Sequence, residues 1–114
     1  MDTQDKTLNI LAFLENAKKL VSEGKYDFVP RRKNMQSLSR YGLTIIDAKN
    51  EILGLVIGDY YKGPKQDFDK KKPGEIWEFK KKINGTQFYV KIKIVHQNGE
   101  DILKCIGFHE DDFA

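Results

Sequence analysis

The dipeptide Asn84-Gly85, set between two stretches of alternating apolar and polar residues, constrains this chain more than any other feature. Asn-Gly readily adopts the left-handed backbone of a two-residue hairpin turn, so it fixes both a hairpin and its register. With Asn84 and Gly85 as the turn, Ile83 faces Thr86, Phe79 faces Val90 and Trp77 faces Ile92, making one apolar face. The other face carries Glu78 across from Lys91 and Lys80 across from Tyr89, with Lys82 and Lys93 nearby. A hairpin with one apolar and one basic, partly aromatic face needs helices to cover the first and leaves the second to a partner.

The rest of the chain supplies those helices. Ile10, Leu11, Leu14, Ala17 and Val21 recur at helical spacing, with Gly24 as the stop. A weaker pattern runs from Lys33 to Tyr41 and ends at Gly42. Thr44 and Asp47 have the spacing of a capping box, ahead of Ile45, Ala48, Ile52 and Leu55 on one face of a third helix. From Gly58 to Gly74 the sequence GDYYKGPKQDFDKKKPG predicts an exposed loop. Strands are then expected over Glu75 to Ile83, Thr86 to His96 and Ile102 to Phe108, the last two joined at Asn98-Gly99. The expectation is an α+β fold with N-terminal helices packed on a C-terminal antiparallel β-meander sheet.

A chain of 114 residues is one domain's length, so residues 1–114 are read as a single domain. The net charge of +3 is a small excess whose distribution matters more than its size. A lone cysteine, Cys105, excludes an internal disulfide and a cysteine-based zinc site, and it fits a reducing, cytoplasmic setting. The first residues lack a positively charged leader, and no apolar run approaches the roughly 18 residues of a membrane span. No membrane association is expected.

The first candidate for chemistry is the polar sheet face. Lys80, Lys82, Lys91 and Lys93 project one way with the ring of Tyr89 among them, a combination that contacts phosphates while a base stacks. The same lysines would also serve a merely solvated sheet face. Lys62, in DYYKGP, is expected to be held in place by the Gly63-Pro64 turn, where a fixed cation would stabilise developing negative charge. Tyr60 and Tyr61 before it are candidate core anchors. His96 adjoins the second turn and is expected at the surface. His109 closes the last strand beside Glu110, Asp111 and Asp112, whose charges are expected to favour its protonated form and suit it to proton transfer. The carboxylates of Asp67, Asp69 and the tail do not fall at metal-ligand spacing, so neither metal nor cofactor is expected.

The segments AKKLVSEGK, YGLTIIDAKNEILGL, DYYKG, IWEF, FYVKIKIV and LKCIGFHE, in this order over Leu14 to Phe108, resemble those of the MqsR-type toxins of bacterial toxin-antitoxin systems, which belong with the RelE-like ribonucleases. The resemblance implies a RelE-like sheet with helices, metal-free cleavage of mRNA, and neutralisation by a cognate antitoxin protein. It places the family's lysine after the aromatic pair on Lys62 and a tyrosine leading the central strand on Tyr89. Glu78 stands where one member of that family has Gln, and His109 where that member has Lys. The catalytic candidates are therefore Lys62, Glu78, Tyr89 and His109, with Tyr61, Lys80, Lys91 and Lys93 as RNA-binding residues. Glu78 remains double-edged, because the hairpin register also makes it a plain ion-pair partner of Lys91. The competing reading is a non-catalytic module that uses the same basic face to bind nucleic acid or protein.

Strand parity sets a condition on the site. A two-residue turn at Asn98-Gly99 would aim His109 at the core, opposite Phe88. A loop of three or five residues would set it beside Tyr89 and send Ile102, Ile106 and Phe108 inward. The expectation is the odd-length loop.

Overall fold

The computed structural model describes residues 3–67, 69, 72 and 74–111. Three helices, α1 (Thr3–Ser22), α2 (Arg32–Arg40) and α3 (Ile45–Leu53), precede most of a five-stranded sheet. Its strands are β1 (Tyr26–Phe28), β2 (Tyr60–Gln66), β3 (Glu75–Ile83), β4 (Thr86–Gln97) and β5 (Glu100–Glu110), in the spatial order β1-β5-β4-β3-β2. The fold is α+β, as the hydrophobic pattern implies. Two strands correct the expected meander. β1 pairs with β5 in parallel, which makes the sheet mixed. The expected loop after Gly58 contains the edge strand β2, antiparallel to β3. Pro64 is tolerated there because an edge strand need not donate on its outer side. Residues 68, 70, 71 and 73 of that expected loop lie outside the described residues.

Each helix is closed by local chemistry. Beyond the last turns of α1 and α2, Lys25 N–H donates to the Leu20 carbonyl and Leu43 N–H to that of Leu38, pairings that end a helix in a Schellman closure. α3 begins with the expected capping box, the Thr44 hydroxyl accepting from Asp47 N–H and the Asp47 carboxylate from Thr44 N–H.

The β3–β4 hairpin has the register read from Asn84-Gly85, with Ile83 opposite Thr86, Phe79 opposite Val90 and Glu78 opposite Lys91. Phe79, Phe88, Val90, Ile92 and Phe108 are buried on the helix side in one cluster with Ile10, Leu14, Val21, Leu38 and Ile52. Each such large side chain contributes about 1.5–3 kcal/mol. Phe13 of α1 stacks on Trp77 with centroids 4.4 Å apart. Two apolar residues fall outside this core. Leu11 and Ile45, both expected on core-facing stripes, are exposed, whereas Leu20, on the other flank of the α1 stripe, is buried.

The β4–β5 hairpin corrects the expected loop. Gln97 pairs with Glu100, so Asn98-Gly99 is a two-residue turn with φ of 53° and 81°. His109 nevertheless pairs with Tyr89, because the register shifts between Lys91, opposite Gly107, and Ile92, opposite Cys105. Ile106 is the extra residue of a β-bulge, and one extra residue exchanges the faces of everything beyond it. Phe108 consequently faces the core, whereas Ile106 is buried outside the main cluster and Ile102 is only half-buried. The backbone groups freed by the bulge are taken up by the buried Asn34 of α2. Its amide donates to the Ile106 and Val29 carbonyls and accepts from Phe108 N–H.

Candidate functional site

All helices cover one face of the sheet, and the other face bears the polar cluster. β4 supplies Tyr89 and Lys91, β3 supplies Lys80 and Glu78, β2 supplies Tyr61, Lys62 and Lys65, and β5 beyond its bulge supplies His109. The rings of Tyr61 and Tyr89 meet edge to face at 5.7 Å, and Tyr89 and His109 lie 5.9 Å apart. The Lys80 ammonium lies 4.1 Å from the Tyr61 ring centre and 4.9 Å from that of Tyr89. Lys62 lies 5.3 Å from the Tyr61 ring and Lys91 5.6 Å from that of Tyr89. Cations over aromatic faces are drawn to the ring quadrupole, which holds long side chains where they would otherwise sweep through solvent.

The protonation states follow from these contacts. Lys80 donates to Asp111 at 3.0 Å, and that hydrogen bond holds its ammonium above the ordinary lysine range, so it stays charged. Partial desolvation, then a hydrogen bond with Tyr61, raises Tyr89 above the usual tyrosine value. Tyr89 is therefore a neutral phenol near neutrality, suited to donating a hydrogen bond and stacking rather than to taking a proton. His109 Nδ1 lies 3.1 Å from the Glu110 carbonyl oxygen. A carbonyl can only accept, so the pair places a proton on Nδ1.

The carboxylates of the tail have partners of their own. The Glu110 carboxylate is bound by Ser37 and Arg40 on the helix side, and Asp111 is bound by Lys80 and Gln87. Asp112 lies outside the described residues.

Two of the expected site residues are corrected. Glu78 is only 2% exposed and lies beneath three ammonium groups, Lys65 at 3.0 Å, Lys91 at 3.6 Å and Lys62 at 3.8 Å. Its Oε2 has no aligned hydrogen bond, but the close Lys65 ammonium still compensates its charge. Enclosed in this way it cannot reach a substrate as a base, and its role is to gather the three lysines. Lys93, expected to meet RNA, is buried in a 2.8 Å pair with Asp67, whose hydrogen bond from Lys93 holds it below the usual carboxylate range. Lys62 sits on the edge strand rather than in a turn, still exposed and aimed at the cluster. Tyr60 packs on Phe79 and Trp77 as an anchor, whereas Tyr61 stays exposed on the open face. His96 is exposed and paired with Asp101, away from the site.

The structure adds residues that the sequence reading left out. Lys65 joins the group around Glu78, and Asp111 orients Lys80. Gly107, isolated in the interior of β5, is the residue that could have signalled the bulge. A Cβ there would stand 3.1 Å from Lys91 Cβ, so its bareness lets the Lys91 stem lie across β5.

No protein-family model matches this sequence, and no curated protein matches it. Among the described residues, no helix is long and apolar enough to cross a membrane.

Proposed function

We propose that this protein is a metal-independent endoribonuclease of the RelE-like, MqsR type, a cytoplasmic mRNA interferase held in check by a cognate antitoxin. The observation that supports it most is the convergence of His109, Tyr89 and the ammonium groups of Lys62, Lys80 and Lys91 on one open sheet face.

Such a set matches transesterification at a ribose-phosphate link. Nε2 of His109 takes the proton of the 2′-hydroxyl as its oxygen attacks phosphorus. The bond from phosphorus to the 5′-oxygen breaks, and the departing oxygen takes up a proton from water, leaving a 2′,3′-cyclic phosphate and a 5′-hydroxyl. Lys62 and Lys91 offset charge on the non-bridging oxygens, where fixed cations act most strongly in the transition state. Tyr89, as a neutral phenol, positions the phosphate or stacks a base, and Tyr61 offers a second ring. DNA lacks the attacking hydroxyl and is not a substrate.

The test is cleavage of single-stranded RNA, read on a gel, by the wild type, His109→Ala and Lys62→Ala. Loss of the proton-transfer group lowers the rate by about a hundredfold or more. Binding by all three proteins without scission by any would replace the enzyme with a non-catalytic RNA-binding module.

A further inference from the structure

We infer that a basic groove leaving the Tyr89–His109 cluster at Lys91 and crossing the open face to Arg31 and Lys104 carries the phosphate backbone of single-stranded RNA flanking the cleaved link. The inference rests on the ribonuclease reading and adds to it a path for the substrate. Two cavities share Arg31, Lys72 and Ile106 in their walls, and so lie side by side. The nearer reaches Lys65 and Lys91, which also surround Glu78, and the farther reaches Lys104 and Val95. The buried side chains of Ile76, Val95 and Ile106 make its floor. Tyr89 and Val95 are six residues apart on β4, so the track extends about 20 Å from the cluster, enough for several nucleotides.

Charge decides what the groove takes. Its described lining has six basic side chains against two acidic ones, although the whole chain carries only +3. The Asp67–Lys93 pair cancels one of each and leaves five against one, with Lys65 and Lys91 also facing Glu78. Arg31 is exposed and has no side-chain partner among the described residues, and Lys104 has only a long 3.8 Å approach to Asp27. Unlike the cluster, the described lining holds no aromatic side chain. Lysine and arginine heads hold phosphates, so the groove adds affinity with strand length.

The bulge is what joins groove to cluster. It leaves Ile106 in the groove floor and turns His109 outward three residues later, while Lys91, opposite Gly107, borders both.

The experiment measures binding of a 2′-O-methyl oligoribonucleotide, which cannot be cleaved, and of the matching dinucleotide, by the wild type and by Arg31→Ala/Lys104→Ala. The wild type is expected to bind the longer strand much more tightly than the dinucleotide. The variant loses affinity for the longer strand several-fold and equally for all sequences. Each lost phosphate contact flattens its log-log salt slope by about 0.7. Unchanged affinity and slope in the variant, with its native fold verified by circular dichroism, would overturn the groove, as would tighter wild-type binding to poly-glutamate than to the oligonucleotide. Wild-type cleavage of unmodified RNA, run in parallel, separates the two ideas. Length-dependent binding that needs Arg31 and Lys104, without scission, would support the groove and sink the ribonuclease.

Discussion

His109 on β5 faces Tyr89 across the β4–β5 ladder with their rings 5.9 Å apart, although the two-residue turn between those strands would by itself aim His109 into the core. One bulged residue, Ile106, reverses that outcome, and Asn34 holds the bulge from outside the sheet. The candidate site is thus built by a backbone irregularity whose stability depends on one buried amide.

Asn34→Ala should therefore harm stability and site together. It leaves the Phe108 N–H and the Ile106 carbonyl without their buried partner, a loss of about 3 kcal/mol. Urea unfolding measures the first effect. The second appears as weakening of the nuclear Overhauser contacts between the Tyr89 and His109 rings. A variant with unchanged stability would show that the bulge supports itself.

Gly107→Ala separates position from stability. The new Cβ meets Lys91 Cβ, Cγ and Cδ at 3.1–3.2 Å, so Cβ must give by a few tenths of an ångström while the stem beyond it turns away. Stability should change by less than about 1 kcal/mol, in the range of a small local adjustment. RNA affinity and cleavage should both fall, because Lys91 is pushed off its place between cluster and groove. Full activity would mean that the position of Lys91 is immaterial.

Glu78→Gln tests the claim that this carboxylate gathers cations and is not a base. Removing its charge leaves three ammonium groups to repel one another, so stability should drop at low ionic strength. The loss should shrink as salt is added. The pH dependence of any cleavage should keep its shape, whereas a true general base would take one limb of the profile with it. A vanished limb would restore Glu78 to the catalytic set.

How much of this was legible in the sequence depends on the range of the interaction. Asn84-Gly85 dictated the β3–β4 register because turn geometry and alternation are local, and Thr44 with Asp47 announced the start of α3 for the same reason. β2 escaped notice because Gly63, Pro64 and the surrounding lysines carry no apolar alternation. It is a strand only because β3 offers it an edge. The burial of Lys93 and Glu78 was hidden too. It depends on Asp67, Lys62 and Lys65 being brought over the sheet, and no spacing along β3 or β4 encodes that. Gly107 was a visible sign of the bulge, and reading it would have brought His109 beside Tyr89 without an odd-length loop.

Alkaline pH should destabilise the fold. Burial pushes the Cys105 thiol from 9.0 up to about 12, and desolvation also raises the Tyr26 phenol. Both folded pKa values lie above the unfolded ones, so the folded state keeps protons that the unfolded state releases. The associated stability is whole below the unfolded pKa and is lost as pH rises toward the folded one. Urea unfolding between about pH 9 and pH 11 should show stability falling, with a shallower slope in Cys105→Ala, which keeps only the tyrosine contribution. Identical slopes would mean that the thiol stays protonated in both states.

The account stands or falls on one ribose-phosphate link meeting an imidazole, a phenol and several ammonium groups on the same sheet face. The most direct measurement is end-group analysis of single-stranded RNA incubated with purified protein in the presence of a metal chelator. It predicts fragments ending in 2′,3′-cyclic phosphate and 5′-hydroxyl, with no cut where the 2′-oxygen is methylated. Intact RNA, or fragments with 5′-phosphate ends made by water attack, would contradict it.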